Sequence, residues 1–374
     1  MTVPLHPTRA IILLGAFREN LELVRTLVGP RVKILAVVKA EAYGHGLIGI
    51  SRAAHSAGVD YLGVARVPEG VQLRSEGIDT PALVFEAAPP EHIEPALHAG
   101  LDLTVTSLAG AEEIGGLAQR TRMRARIHVK VDTGMGRLGL PWESAAGQIA
   151  RAASIPGIDL VGVYSHFSTA EDADPGYARG QLGRFLRVLE SLAGLKIDVP
   201  LRHMAGSGGI LAHPDSHLDM VRPGIMLYGY PPRKDMPLPF PLKPVLSLVT
   251  RVSFIKDVPV GTSISYGRRY TTDRPTMIAT LPVGYGDGYS RLLTNRGDVL
   301  IRGRRFRIAG TVCMDHCMVD VGPGAAVHPG DPAVLIGRDG GETITAWDLA
   351  EAMGTIPYEV TSLIAWRVPR VFEE

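Results

Sequence analysis

The chain has 374 residues, 39 basic against 38 acidic side chains, and two cysteines. A net charge of +1 leaves no electrostatic footprint for nucleic acid or an anionic membrane surface. The cysteine count excludes a disulfide scaffold and suits a reducing compartment, and no apolar run approaches the roughly 20 residues that span a bilayer. The start, MTVPLHPTRAIILLGAFREN, lacks the basic residues, long apolar centre and small-residue cleavage site of a signal peptide, so a cytoplasmic protein is expected.

From the N-terminus, short apolar runs alternate with Ala/Leu/Arg-rich helical stretches. Strands are predicted at 34–39 (ILAVVK), 61–65, 82–85, 103–106, 125–131 (ARIHVKV), 160–167 (LVGVYSHF), 201–205 (LRHMA) and 220–229 (MVRPGIMLYG). Strands this apolar on both faces, each followed by a helical pattern, imply a parallel sheet covered by helices. Eight such units favour a closed (β/α)8 barrel over an open doubly wound sheet. The segment 231–244, with six prolines in fourteen residues, is neither helix nor central strand. Beyond it come short strands with Gly and Asp turns and almost no helix before TAWDLAEAMG. The expected organisation is a barrel over 1–240 and a mostly β domain over 241–374, with the first residues free to join the second domain.

Lys39 ends the first barrel strand, at the end where such barrels carry their active sites. A lysine at a strand end is, taken alone, more often a snorkelling or salt-bridged surface residue. Burial would instead lower its pKa and make it a nucleophilic amine able to condense with a carbonyl. Tyr43 follows four residues on, and Gly44 and Gly46 allow close approach of backbone to a ligand.

VVKAEAYGHG resembles the signature of the alanine racemase family, in which the lysine carries pyridoxal 5'-phosphate. The resemblance continues in order through HVKVDTGMGRLG (128–139), YSHFSTAED (164–172), AGSGGIL (205–211), VRPGIMLYG (221–229), SISYGRRY (263–270), LPVGYGDGYSR (281–291), GTVCMDHCMVDVG (310–322) and IPYEVTSLIAWRVPRV (356–371). It therefore covers nearly the whole chain, including the change from barrel to β domain.

The resemblance implies an alanine racemase that interconverts L- and D-alanine and supplies D-alanine for cell-wall peptidoglycan. Racemisation removes the Cα proton and returns it on the opposite face, so one base on each side of the substrate is the economical design. Lys39 and Tyr266 match the family's two bases. An unperturbed tyrosine titrates near ~10, so a phenolate base needs a neighbourhood that lowers its pKa. The family assigns that neighbourhood to His166 and Arg222. Arg222 also faces the pyridine nitrogen in the family; a salt bridge to the nearby Asp219 is the structural alternative. Cofactor phosphate falls to Ser207, the amides of Gly224 and Ile225, and the hydroxyls of Tyr43 and Tyr358. Arg137 matches the residue on the cofactor's phenolic oxygen and the substrate carboxylate, and Lys130 the lysine that some members carbamylate. Met314 and Asp315 match the substrate site, and Tyr285 a wall of its pocket. In the family, Tyr266, Tyr285, Met314 and Asp315 come from the partner subunit of a head-to-tail homodimer.

Four positions depart from what is familiar in the family: Glu41, Glu171, Gly206 and Thr311. They leave a broad-specificity or serine racemase on the same scaffold as the enzymatic alternative. A carrier of pyridoxal phosphate is the non-enzymatic one, although such single-barrel proteins lack the β domain. No metal is expected. The CMDHC stretch, read as an extended strand, puts Cys313 and Cys317 about 13 Å apart, beyond disulfide reach.

Overall fold

A computed structural model describes residues 6–374. Two compact units divide the described residues: 17–42 with 47–243, and 6–16 with 43–46 and 244–374.

The first unit is built on eight parallel strands: β2 (Lys33–Val37), β3 (Tyr61–Val64), β4 (Ala82–Val84), β5 (Asp102–Val105), β6 (Ala125–Asp132), β7 (Ile158–Tyr164), β8 (Leu201–Gly206) and β9 (Met220–Arg222). Each pairs with the next in order, and β9 pairs back onto β2 through Met220 and Lys33, closing the barrel. Helices such as Leu47–Ser56, Leu108–Thr121 and Gly176–Gly194 separate them. β3, β4 and β5 are buried at every residue, as strands with helices outside and packed side chains inside must be.

Several strands are shorter than their apolar runs. Past Arg222 the run turns into a 3-10 helix, Ile225–Tyr228, whose side chains are all buried. Continuous burial gives the same apolar signature to a strand and to a buried turn. Likewise β7 starts earlier and stops at Tyr164, leaving Ser165–Phe167 in a loop. β2 stops at Val37, two residues before Lys39.

The second unit is mostly β. β1 (Arg9–Leu13) lies between β10 (Leu246–Arg251), antiparallel, and the C-terminal β17 (Arg370–Glu373), parallel. The sheet continues beyond β10 to β16 (Pro332–Asp339) and to the hairpin β13 (Asp298–Ile301) with β14 (Arg304–Arg307). That hairpin turns at Arg302 and Gly303, both at positive φ, the backbone of a tight two-residue turn. A three-stranded sheet holds β11 (Phe254–Val258), β12 (Thr276–Leu281) and β15 (Cys317–Gly322). In TAWDLAEAMG, Thr345 and Asp348 cap the helix Ala346–Met353 reciprocally, and Gly354 ends it in the left-handed region. The segment 231–244 contains no helix or strand.

Candidate active site

Immediately after β2 the backbone makes a left-handed turn. Ala40, Glu41, Ala42 and Tyr43 all sit at φ between 51° and 55°. Left-handed helical backbone costs about 1–2 kcal/mol per residue for anything but glycine, so the turn persists only because its surroundings hold it. Two carboxylates do so from within the barrel unit. Glu69 accepts the Ala40 N–H at 2.8 Å and the N–H groups of Ala65 and Arg66 at 2.6 and 3.1 Å, tying the turn to the loop after β3. Glu41 accepts the Leu47 N–H at 3.2 Å, at the start of the helix Leu47–Ser56. Position 41 is thus one where Asn or Asp is at ease for conformational reasons; glutamate bears the strain and uses its longer reach to cap the next helix. Gly44, at φ 83°, passes so close to the Thr361 carbonyl that a Cβ would lie 1.9 Å from its oxygen.

Lys39, at the head of this turn, is half-buried. Desolvation first, then the charge of Arg137, pulls its amine below the ordinary lysine range; Glu69 opposes and Arg222 adds to the lowering. In the same unit lies a second lysine, Lys130 on β6, only 5 % exposed, with Nζ 4.9 Å from the centre of the Tyr164 ring. No carboxylate among the described residues stands within ion-pair distance of it. Asp132, nearest in sequence, is occupied by the N–H groups of Gly134, Met135 and Gly136. Burial, then Arg222 and Arg137, pushes the Lys130 amine well below its ordinary value. Arg137 itself is exposed, on the loop after β6.

Arg222 is 5 % exposed and has no carboxylate partner among the described residues. Asp219, its sequence-level alternative, instead pairs with Arg202 at 2.6 and 2.8 Å. Arg222 donates to His203 Nδ1 at 2.8 Å, the Ser165 carbonyl at 2.7 Å, the Met204 carbonyl at 2.9 Å and His166 Nδ1 at 3.0 Å. Four acceptors for five N–H groups leave at least one N–H for a ligand. Burial lowers its pKa to about 10, and it stays charged at neutral pH. Because His166 Nδ1 accepts, its remaining proton sits on Nε2. Burial and the Arg222 charge hold that imidazole neutral, well below its usual range.

Ser207, buried after β8, gathers backbone donors: its Oγ accepts from Gly224 N at 3.0 Å and Met226 N at 3.4 Å. Gly224 and Ile225 open the 3-10 turn Ile225–Tyr228 at that spot. The absence of a side chain at Gly206 is required, since a Cβ there would stand 2.9 Å from the His166 ring. N–H groups and a hydroxyl gathered at the start of a helical turn suit an anion.

The other candidate residues belong to the second unit. Tyr43 is buried, its ring centre 5.9 Å from that of Tyr358, and burial pushes its hydroxyl up. The GYGDGY stretch forms a short 3-10 turn, Tyr285–Asp287, stitched to the Cys313–Asp315 loop. Tyr285 N donates to the Cys313 carbonyl at 3.0 Å and Gly286 N to the Met314 carbonyl at 2.9 Å. Arg367 clamps both loops, with 2.7 Å bonds to Asp287 and Asp315. Nothing in the sequence marked Arg367 for that role. Tyr266 heads another 3-10 turn and is 73 % exposed; Met314 and Tyr285 are exposed as well. The structure corrects one premise: CMDHC is not extended. Cys313 N bonds the His316 carbonyl at 2.8 Å in a turn, and β15 begins only at Cys317. Both thiols are free.

The sequence also concealed a polar path in the barrel interior: Asp102, His128, Tyr164 and His203. Its trace was the period-two alternation of ARIHVKVD, with Arg126, His128, Lys130 and Asp132 on one face and Ala125, Ile127, Val129 and Val131 on the other.

Residues 12–232 match the family model "Alanine racemase, N-terminal domain" and residues 245–372 "Alanine racemase, C-terminal domain". Alanine racemase 2 of Caldanaerobacter subterraneus subsp. tengcongensis is 43% identical over 98% of this chain and 95% of its own. The alanine racemase of Halothermothrix orenii is 43% identical over 98% of this chain and 97% of its own. Among solved structures, the alanine racemase of Clostridium difficile 630 superposes with a TM-score of 0.94 at 37% identity, covering 100% of this chain and 96% of that one.

Proposed function

Since the chain belongs to the alanine racemase family, whose members are pyridoxal-phosphate-dependent isomerases, we propose that it interconverts L- and D-alanine with the cofactor held on Lys39. The carrying observation is the combination, within the barrel unit, of a depressed lysine amine, a buried arginine with an N–H to spare, and the Ser207 cradle. This donor set suits an aldehyde, a ring nitrogen and a phosphate. When bound, the cofactor supplies a carbonyl for amine condensation and a ring that accepts the electron pair left as the Cα–H bond breaks.

Lys39, with lowered proton affinity, keeps a fraction of its amine neutral and would hold the cofactor's aldehyde. Freed by the substrate amine, it would take or return the Cα proton on one face. Tyr266 serves the other face. An exposed phenol is poorly placed to hold a proton on course, so Tyr266, Tyr285, Met314 and Asp315 are assigned to the site of a second copy in a head-to-tail dimer. Arg222, donor-only, would face the cofactor's ring nitrogen in its unprotonated form, which would temper the ring's electron withdrawal and favour quick return of the proton. His166, accepting from Arg222, points its Nε2–H elsewhere and fixes the guanidinium's plane.

Ser207 and the amides of Gly224 and Ile225 would take the phosphate. Arg137 and the backbone at Met314 and Asp315 would orient the substrate carboxylate, and Tyr285 would narrow the pocket. A lone buried ammonium at Lys130 is costly. Its neutral amine adds to carbon dioxide, losing a proton to give a carbamate anion that pairs with Arg137. D-alanine for the cell wall is the product this activity would furnish.

The test incubates the protein and pyridoxal phosphate in D2O with single L-amino acids. Deuterium at Cα with loss of optical activity is expected for alanine, with serine far slower. Equal rates for serine would transfer the assignment to a broad-specificity racemase, and no exchange with any amino acid would overturn it.

A further inference from the structure

The interior of the barrel carries an unbroken hydrogen-bonded path leading away from Arg222. Arg222 Nη1 lies 2.8 Å from His203 Nδ1, His203 Nε2 lies 2.9 Å from His128 Nδ1, and His128 Nε2 lies 3.2 Å from Asp102 Oδ2. All four side chains are buried.

The ends of the path dictate where its protons sit. A guanidinium has only donors, so His203 Nδ1 must accept, which puts that imidazole's proton on Nε2. This proton is donated to His128 Nδ1, so the His128 proton also sits on Nε2 and is donated to Asp102. A carboxylate only accepts, which ends the series consistently. The reverse direction would need an acceptor on Arg222. A second proton on either imidazole would set donor against donor and break a link.

The surroundings agree with this arrangement. Burial, joined by the Arg222 charge, holds His203 neutral; burial likewise lowers His128, against the opposing pull of Asp102. Burial pushes the Asp102 carboxyl up, but hydrogen bonds from His128 and Arg126 outweigh it and keep the group ionised. Arg126 reaches the two Asp102 oxygens at 2.6 and 3.2 Å, and the Tyr61 hydroxyl lies 3.3 Å from one of them. Shape fixes the rings as well. Tyr164 stacks on His203 at 4.8 Å with the planes 3° apart. Gly162 leaves the space that His128 occupies, since a Cβ there would stand 2.5 Å from Nδ1.

We propose that Asp102, His128 and His203 form a positioning relay that fixes the rotation of the Arg222 guanidinium and carries the polarisation of the Asp102 carboxylate to it. Arg222 touches only neutral acceptors, and the carboxylate its path reaches, three links away, is Asp102, which is itself paired with Arg126. Chains of hydrogen bonds in a low-dielectric interior polarise one another, which strengthens His203 Nδ1 as the acceptor for Arg222. The relay sets how much of the arginine's charge is left to act on the cofactor's ring nitrogen, and that clause rests on the reading of Arg222 given above.

The test is nitrogen NMR of full-length, cofactor-loaded protein carrying 15N-labelled histidine, with kinetics of the variants. His128 and His203 are expected as neutral Nε2–H imidazoles, each with one protonated and one unprotonated nitrogen, unchanged between pH 8.5 and 5.5 (roughly one unit or more on either side of the free imidazole pKa). Asp102→Asn should shift the His203 Nδ1 signal from two links away and lower kcat about tenfold, the scale that outer partners of site residues reach elsewhere, with KM for alanine unchanged. His128→Phe should release His203, whose signals then become pH-dependent. If that variant fails to fold, the Asp102→Asn shift decides alone. A charged or Nδ1–H imidazole in the wild type, or a His203 signal indifferent to Asp102→Asn, overturns the relay. Tautomers as stated with a His203 signal that does not move on cofactor loading would uphold the relay and refute the Arg222 assignment.

Discussion

Acidification is predicted to destabilise the barrel unit through its neutral histidines. His166 and His203 are held well below the ordinary imidazole range by burial and by the charge of Arg222, and His128 is lowered as well. Their native pKa values lie below the unfolded value of about 6.5, so below that pH the unfolded chain binds the extra protons. Stability from these groups is therefore fully present above about 6.5 and drains as pH falls toward the native pKa values. For one imidazole that stays neutral in the native state, moving from pH 7.5 to 5.5 costs about 1.4 kcal/mol. Two such groups cost about 3 kcal/mol, and a fully suppressed His128 brings the loss to about 4 kcal/mol. That is a large share of a domain's ordinary ~5–15 kcal/mol. Carboxylates titrate mostly below this window, whereas a neutral Lys130 amine adds a loss of the same sign, so the His203→Gln difference isolates the imidazole share. The assay is urea unfolding at the two pH values and matched ionic strength, followed by far-UV circular dichroism, whose helical signal comes mainly from the barrel unit. A His203→Gln variant should lose about 1.4 kcal/mol of the pH dependence, whatever its absolute stability. A wild-type loss under about 1 kcal/mol, or a His203→Gln slope equal to wild type, would refute the assignment of neutral buried imidazoles.

Two backbone predictions follow from the same unit. Gly162→Ala forces a Cβ to 2.5 Å from His128 Nδ1 and 2.8 Å from the Leu201 carbonyl oxygen. The expected cost is about 1–3 kcal/mol in urea unfolding, with the His128–His203 bond disturbed in nitrogen NMR; a neutral effect on both would count against the packing described. Ala40→Gly relieves an exposed residue at φ 52° of about 1–2 kcal/mol of left-handed strain, against about 0.4–1 kcal/mol of added unfolded-state entropy. The variant should be stabilised by about 0.5–1 kcal/mol, whereas glycine in a right-handed helix would be destabilising by a similar amount.

The barrel was legible because its strands, buried on both faces, leave apolar runs with one helix's spacing between them. Their ends were not, because GIMLY is as apolar in a buried 3-10 turn as it would be in a strand. The chemistry around Lys39 was legible through the family resemblance rather than from spacing. Sequence gave no account of Glu41, since the left-handed turn it occupies is imposed by the carboxylate of Glu69, some thirty residues downstream. Tertiary contact of this kind leaves no local pattern. His128 and His203 were hidden for a related reason. A polar residue in a strand reads as solvent-facing, and only barrel closure brings the polar faces of β5, β6 and β8 together inside. CMDHC was misread because the extended pattern of β15 was carried upstream into a turn.

Two-base proton transfer is the central claim, and the most direct measurement of it is Cα deuterium incorporation from D2O into L- and D-alanine by a Tyr266→Phe variant loaded with pyridoxal phosphate. The account predicts that racemisation is abolished while one enantiomer still exchanges its Cα proton through Lys39. Racemisation by Tyr266→Phe near the wild-type rate would contradict it.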